Sequence, residues 1–175
     1  MNNVVHFYDH KSSLPPLTSI TGFGVRTEPV YRQNGSQIFG HRTVVRTDID
    51  GDLGIVGNRY QMVQNQDLYD MLTEACRETL PTKYLKGAEL KEVSSYGGAY
   101  TRFELAFPEM KMPIKQRGSE TELKFRVGIS NTFDGNGSVR VLSGAYDQVC
   151  ENGMCIGEVT NCLLYTSPSP RDIMR

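Results

Sequence analysis

The chain has 175 residues, with 38% hydrophobic residues, 22% charged residues and a formal net charge of −1. This length is that of one ordinary domain with a buried core, and the composition excludes an intrinsically disordered chain. The small net charge excludes a global field for nucleic acid or anionic membranes, so either partner would require a local basic patch.

The N-terminal sequence MNNVVHFYDHK has no basic segment followed by an apolar one, so it does not read as a secretory signal. No apolar run approaches the roughly 18 residues that span a bilayer. We therefore expect a soluble intracellular protein with no membrane partner. The four cysteines, Cys76, Cys150, Cys155 and Cys162, are irregularly spaced, which predicts free thiols in a reducing compartment.

Residues 1–35 are rich in proline and glycine, including Pro15-Pro16 and Asn34-Gly35, and are predicted to form an irregular arm. A single domain is predicted over residues 36–161. It begins with a hairpin, in which Asp50-Gly51 separates two runs rich in β-branched residues.

An amphipathic helix is predicted over about residues 66–80. Leu68, Leu72 and Cys76 recur at helical spacing, Asn65 is a candidate N-cap, and Pro81 ends the pattern. Strand-like runs with apolar alternation follow over about residues 90–150 and predict a β-meander. Because no βαβ alternation is visible, the predicted class is α+β with an antiparallel sheet.

The acidic stretch DIDGD, with Asp48, Asp50 and Asp52, suggests calcium binding at first sight. An EF-hand loop requires Gly at its sixth position and Glu at its twelfth, where this chain has Leu53 and Arg59. A solvated hairpin turn is the better interpretation.

The histidines and cysteines also predict no metal site. His6 and His10 are four residues apart but have no third ligand nearby, and Cys150 and Cys155 have no second cysteine pair. The sequence also lacks a nucleophile elbow and a phosphate-binding glycine loop. No catalytic residue and no cofactor are predicted, and no pattern favours an enzyme.

One sheet face carries the only pattern that indicates a partner. If the apolar residues of the meander face the core, strand alternation places cations and one tyrosine on the opposite face. A basic face with an aromatic ring suits a phosphate backbone and stacked bases. An ordinary solvated face, diluted by Glu104 and Glu122, is the alternative. The candidate nucleic-acid-binding residues are Tyr100, Arg102, Lys124, Arg126 and Arg140.

Two stretches, LGIVGNRYQMVQNQDLYDML (53–72) and GISNTFDGNGSVRVLSGAYDQVCENGM (128–154), resemble the signature blocks of the phage/plasmid-like domain-of-unknown-function family 932. Thr132 departs from the commoner Ser. The resemblance implies a phage, prophage or plasmid gene in a bacterial cytoplasm, and it supplies no catalytic residues. The matching positions, of unknown role, are Arg59, Tyr60, Gln64, Asn65, Asn131, Asp134, Gly135, Cys150, Asn152 and Gly153.

Three functions are compatible with these patterns. The first is a non-catalytic nucleic-acid-binding domain, accessory to recombination or replication, that binds single-stranded or duplex DNA. The second is a protein-interaction or homo-oligomer-forming factor that acts on a host process. The third is a metal-dependent hydrolase or nuclease that uses Asp48, Asp50 or Asp134.

The C-terminal residues 162–175 are expected to be non-native. Their sequence CLLYTSPSPRD reverse-translates to a close match of a transposon-derived adapter used in sequencing libraries, as in a metagenomic fragment. We therefore expect the domain over residues 36–161 to be truncated at its C-terminal end.

Overall fold

The computed structural model describes residues 4–6, 14–116, 119–147 and 162–165. A 3₁₀ turn at Tyr96–Gly98 lies between the fifth and sixth strands. The strands and longer helices are, in chain order, β1 (Val4–His6), β2 (Val25–Tyr31), β3 (Gln37–Arg46), β4 (Gly51–Gly57), α1 (Asn65–Thr79), α2 (Thr82–Leu85), β5 (Glu89–Ser95), β6 (Tyr100–Gln116), β7 (Ser119–Thr132), β8 (Val139–Asp147) and β9 (Cys162–Tyr165).

The strands form two sheets, and every pairing is antiparallel. The large sheet has the order β1-β5-β6-β7-β8-β9, and the small sheet has the order β2-β3-β4. The predicted α+β class is confirmed, as are the hairpin (β3–β4), the main helix and the meander (β5–β8). The segment 162–165 resembles adapter sequence, so we assign β9 no functional role.

Residues 1–35, where the composition predicted an irregular arm, contribute β1 and β2. Strand β2 contains Pro29, and the register between β2 and β3 shifts between Pro29 and Val30. Proline is tolerated in edge strands and at bulges because it donates no ladder hydrogen bond. The proline and the bulge together hide the strand pattern in the sequence.

The main core lies between α1 and one face of the large sheet. The ring of Tyr69 on α1 meets Phe103 on β6 edge to face, with centroids 5.7 Å apart. The buried cluster of this core contains Leu14, Leu68, Tyr69, Leu72, Cys76, Leu85, Ala88, Leu90, Phe103, Leu105, Phe107, Ile129 and Val139. Helix α1 therefore covers the inner face of the meander, and the opposite face, here called the outer face, points away from this helix.

A second core joins the small sheet to the large one. The Phe23 and Phe133 rings lie 6.0 Å apart, and Val44 and Val56 of the small sheet are buried beside them. No helix in the described ranges is long and apolar enough to cross a membrane.

Asn65 is buried at the start of α1 and does not cap it, because Gln64 occupies the N-cap position. The Asn65 side-chain amide donates to the carbonyl of Thr21 at 2.7 Å and accepts from the hydroxyl of Thr101 at 3.2 Å and the amide of Asn131 at 3.0 Å. Asn131 also donates to the carbonyl of Val63 at 3.1 Å. One amide thus joins the N-terminal loop, α1, β6 and β7.

Replacing Asn65 with Ala should lower the free energy of unfolding by about 1–3 kcal/mol, because buried partners on three segments lose a hydrogen bond. The matched control is Gln66→Ala on the exposed side of the same helix turn. Urea unfolding of both variants measures the difference, and equal stability would show that the Asn65 network contributes nothing net.

Candidate nucleic-acid interface

Strand register determines which side chains share the outer face of the large sheet. Arg102 on β6 pairs with Ser130 on β7, and Ser130 pairs with Arg140 on β8. Lys124 and Arg126 lie on the same face of β7, since alternate residues of a strand point the same way. Tyr100 precedes Arg102 by two residues and shares its face. All five candidate residues therefore lie on one face of the sheet.

The centre of the outer face is an ion-paired cluster. Arg102 Nη2 donates to Glu104 Oε2 at 2.7 Å, and Arg126 Nη1 donates to Glu104 Oε1 at 3.0 Å. The Glu104 side chain is only 10% exposed. Gly128 lies opposite Glu104, and a Cβ at Gly128 would approach the Glu104 Cβ to 2.7 Å. The glycine thus leaves room for the Glu104 side chain. The Glu104 carboxylate lies between the two arginines and neutralises part of their positive charge.

Lys124 and Arg140 lie away from this cluster. Arg140 is exposed and Lys124 is half-buried. Lys124 pairs directly with Lys111 of β6, and the Lys111 ammonium contacts the Glu122 carboxylate at 2.9 Å. The hydrogen bond to Glu122 raises the pKa of Lys111 above its usual value. The charge of Glu109 also raises the pKa of Lys111, so both Glu122 and Glu109 lie near this lysine, and the cation that faces them across the ladder is Lys124.

The pattern in the sequence missed two further cations of this face, Lys91 and Lys111. Lys91 of β5 pairs with Glu104, so alternation along β5 would have found it. Lys111 was harder to place, because the register between β6 and β7 shifts between Phe107 and Lys111. A bulge reverses the parity of the residues that follow it. Among residues with described side chains, six cations share the outer face with Glu89, Glu104 and Glu122; these cations are Lys91, Arg102, Lys111, Lys124, Arg126 and Arg140.

The described positions that match the family signature lie mostly at the junction of the two sheets. The Tyr60 hydroxyl donates to the carbonyl of Thr132 at 2.9 Å. Burial, and secondarily the charge of Asp134, raises the pKa of Tyr60 to about 12. The Gln64 side-chain amide accepts a hydrogen bond from Val25 N at 3.1 Å and donates one to Val25 O at 2.8 Å. It thus occupies both backbone groups of Val25, as the backbone of a neighbouring β-strand does.

The two signature blocks also touch through glycines. A Cβ at Gly54 would lie 2.6 Å from the Asp134 Cα, and Gly135, with φ of 77°, packs against Val56. With Asn65 and Asn131 in the buried network, these contacts give the signature a structural role at the junction. Arg59 is exposed. Cys150, Asn152 and Gly153 lie outside the described residues.

The acidic residues considered for metal chemistry are engaged elsewhere or separated. Asp48 binds Arg46, whose hydrogen bond lowers the Asp48 pKa, and Asp50 binds Arg26. Within the described residues, no group of three or more His, Cys, Asp or Glu side chains is placed to hold a metal ion. This statement does not cover the side chain of His6. It also does not cover His10, Cys150 and Cys155, which lie outside the described residues.

Replacing Gly54 with Ala should destabilise the protein by about 1–3 kcal/mol, because the new methyl group meets Asp134 backbone that must move. Gly57→Ala in the same strand is the matched control, since its nearest atom outside the adjacent residues is 4.0 Å away. Thermal unfolding compares the two. If Gly54→Ala is as stable as Gly57→Ala, the close contact between the signature blocks does not constrain the fold.

Comparison with known proteins identifies the family and no individual relative. A family model with the description "Domain of unknown function (DUF932)" matches residues 52–162. The comparisons with curated proteins and with solved structures return no match. The matched range covers more than half of the chain and includes the whole of both signature blocks. The chain therefore belongs to the DUF932 family of domains of unknown function.

Proposed function

We propose that this chain is a non-catalytic nucleic-acid-binding domain, encoded by a phage or plasmid and accessory to recombination or replication in a bacterial cytoplasm. The observation that supports binding most directly is the strand register, which collects six cations with described side chains on the outer face of the large sheet. The origin and the cellular role rest on the resemblance of the signature blocks. The ligand is the phosphate backbone of DNA, in single-stranded or duplex form.

The charge of the outer face is unevenly distributed. Glu104 accepts hydrogen bonds from Arg102 and Arg126, so its carboxylate neutralises part of the positive charge at the centre of the face. Lys124 and Arg140 carry the charge that is best placed for an incoming strand. Phosphate binding by such side chains releases counterions and makes affinity depend on salt.

The aromatic component of the proposed site is Tyr100. It is half-buried, and it pairs with Thr132 across the β6–β7 ladder. An aromatic ring on a sheet surface stacks on unpaired bases and tolerates any base, because every base has a π face. This arrangement favours single strands over duplexes, in which the base faces are already stacked.

Replacing both Lys124 and Arg140 with Ala should weaken DNA binding and reduce the slope of log affinity against log salt by about 1–2, since up to two phosphate contacts are lost. Fluorescence anisotropy across a salt series measures both quantities. Lys86→Ala, an exposed lysine just after α2, is the control for loss of positive charge elsewhere. Absent or salt-independent binding by the wild-type chain would refute the proposed function.

Replacing Glu104 with Gln should have the opposite effect. Gln keeps a side chain of the same shape while removing the negative charge that partly neutralises Arg102 and Arg126. Affinity for DNA should rise, and the salt slope should steepen by about 1. The same anisotropy titration tests this, with circular dichroism to verify the fold. A folded Glu104→Gln variant with unchanged or weaker binding would place the DNA away from this cluster.

A further inference from the structure

The β2–β3 hairpin is held firmly at its base and projects from the small sheet. At the base, Val25 pairs with Arg46, whose guanidinium lies 3.8 Å from the centre of the Phe23 ring. Strand β2 runs from Val25 to Tyr31, and at roughly 3.3 Å per residue it reaches about 20 Å from the junction. We call this hairpin, from Val25 to Arg46, the hairpin arm, or simply the arm; its base is packed against Phe23.

The tip of the arm is also well defined. Arg32 N donates to Ser36 O at 2.8 Å, and Gly35 N donates to Arg32 O at 2.9 Å. Gly35 has a φ of 80°, which glycine adopts without strain. The Ser36 amide and hydroxyl both donate to Asn34 Oδ1, at 3.0 and 2.7 Å. The turn holds the ends of both strands in register.

Two aromatic rings are exposed on this arm. Phe39 is 84% exposed and Tyr31 is 58% exposed. The register jumps from Pro29↔Arg42 to Val30↔Ile38, so Phe39 lies in a bulge of β3 beside Gly40, whose φ is 86°. Bulges redirect side chains. Neither ring belongs to either buried core, so packing does not account for an aromatic residue at these positions.

Beyond Glu28, which pairs with Arg26 on β2, the arm carries charge of one sign. The stretch from Pro29 to Thr47 contains Arg32, Arg42 and Arg46 and no Asp or Glu. Arg46 binds Asp48 and the carbonyl of Gly97 at the base. Arg32 and Arg42 are exposed, and within the described residues their side chains make no hydrogen bond or ion pair. This differs from the outer face, where Glu104 pairs with two arginines.

We propose that the arm from Tyr31 to Arg42 is a second binding site, a stacking arm for single-stranded nucleic acid. Bases stack on Phe39 and Tyr31, while Arg32 and Arg42 bind the flanking phosphates. The two exposed arginines favour a polyanionic partner, and the exposed aromatic rings favour a polyanion with unpaired bases that can stack on them. The inference rests on the proposed function for the class of ligand, but it uses residues that the outer face does not contain.

Phe39→Ala in the full chain should weaken binding of a fluorescein-labelled single strand by about fivefold or more, because stacking of one base is lost. Binding of the matching duplex should change much less. Phe39→Leu should bind as weakly as Phe39→Ala, whereas Phe39→Tyr should retain binding, since stacking needs an aromatic ring. Ile49→Ala, an exposed apolar residue at the opposite end of the small sheet, is the control with no expected effect.

Each outcome decides between the two sites. Unchanged binding by Phe39→Ala, or full binding by Phe39→Leu, overturns the stacking arm. If Phe39→Ala binds normally while the Lys124 and Arg140 double variant loses binding, the proposed function stands and the arm does not. The reverse result supports the arm and refutes the outer face. If sedimentation shows that Phe39→Ala abolishes self-association and leaves DNA binding intact, the arm is a contact between copies of this chain and the inference fails.

Discussion

The placement of the small sheet against the large one depends on how the buried side chain of Asn65 is hydrogen-bonded. Its amide is fully buried and contacts the Thr21 carbonyl, the Thr101 hydroxyl and the Asn131 amide. A buried amide without partners is costly, so these segments must meet at one point. The preceding Gln64 binds the backbone of Val25 at the root of β2. The start of α1 thereby fixes the small sheet against the large one.

The residues that hold this junction together are distinct from the residues that we propose bind nucleic acid. The signature positions Tyr60, Gln64, Asn65 and Asn131 hold the two sheets together through buried or half-buried hydrogen bonds. The cations and exposed rings lie outside it, on the outer face and on the hairpin arm. The two cationic surfaces differ in the number of carboxylates near their cations. On the outer face Glu104 forms ion pairs with Arg102 and Arg126, whereas the arm contains no Asp or Glu between Pro29 and Thr47.

Periodic elements were predictable from the sequence, and features set by tertiary contacts were not. Helix α1 was predicted to within about one residue because its apolar residues repeat and Pro81 ends it. Strand β2 was missed because Pro29 and a bulge break its pattern. Asn65 fits the statistics of a helix cap, and only the distant Thr101 and Asn131 reveal its buried role. Cross-strand register, which sequence alone does not give, places Arg126 diagonally across from Glu104, where it donates a hydrogen bond to the carboxylate.

Photo-crosslinking of the full chain to a single-stranded oligonucleotide, followed by mass spectrometry of the crosslinked peptides, would identify the residues that contact nucleic acid. We expect crosslinks in two regions, the arm from Tyr31 to Arg42 and the part of the large sheet that carries Tyr100, Lys124 and Arg140. Competition by salt should remove both sets, because phosphate contacts underlie them. Crosslinks confined to the exposed surface of α1, or absent at low salt, would contradict this expectation.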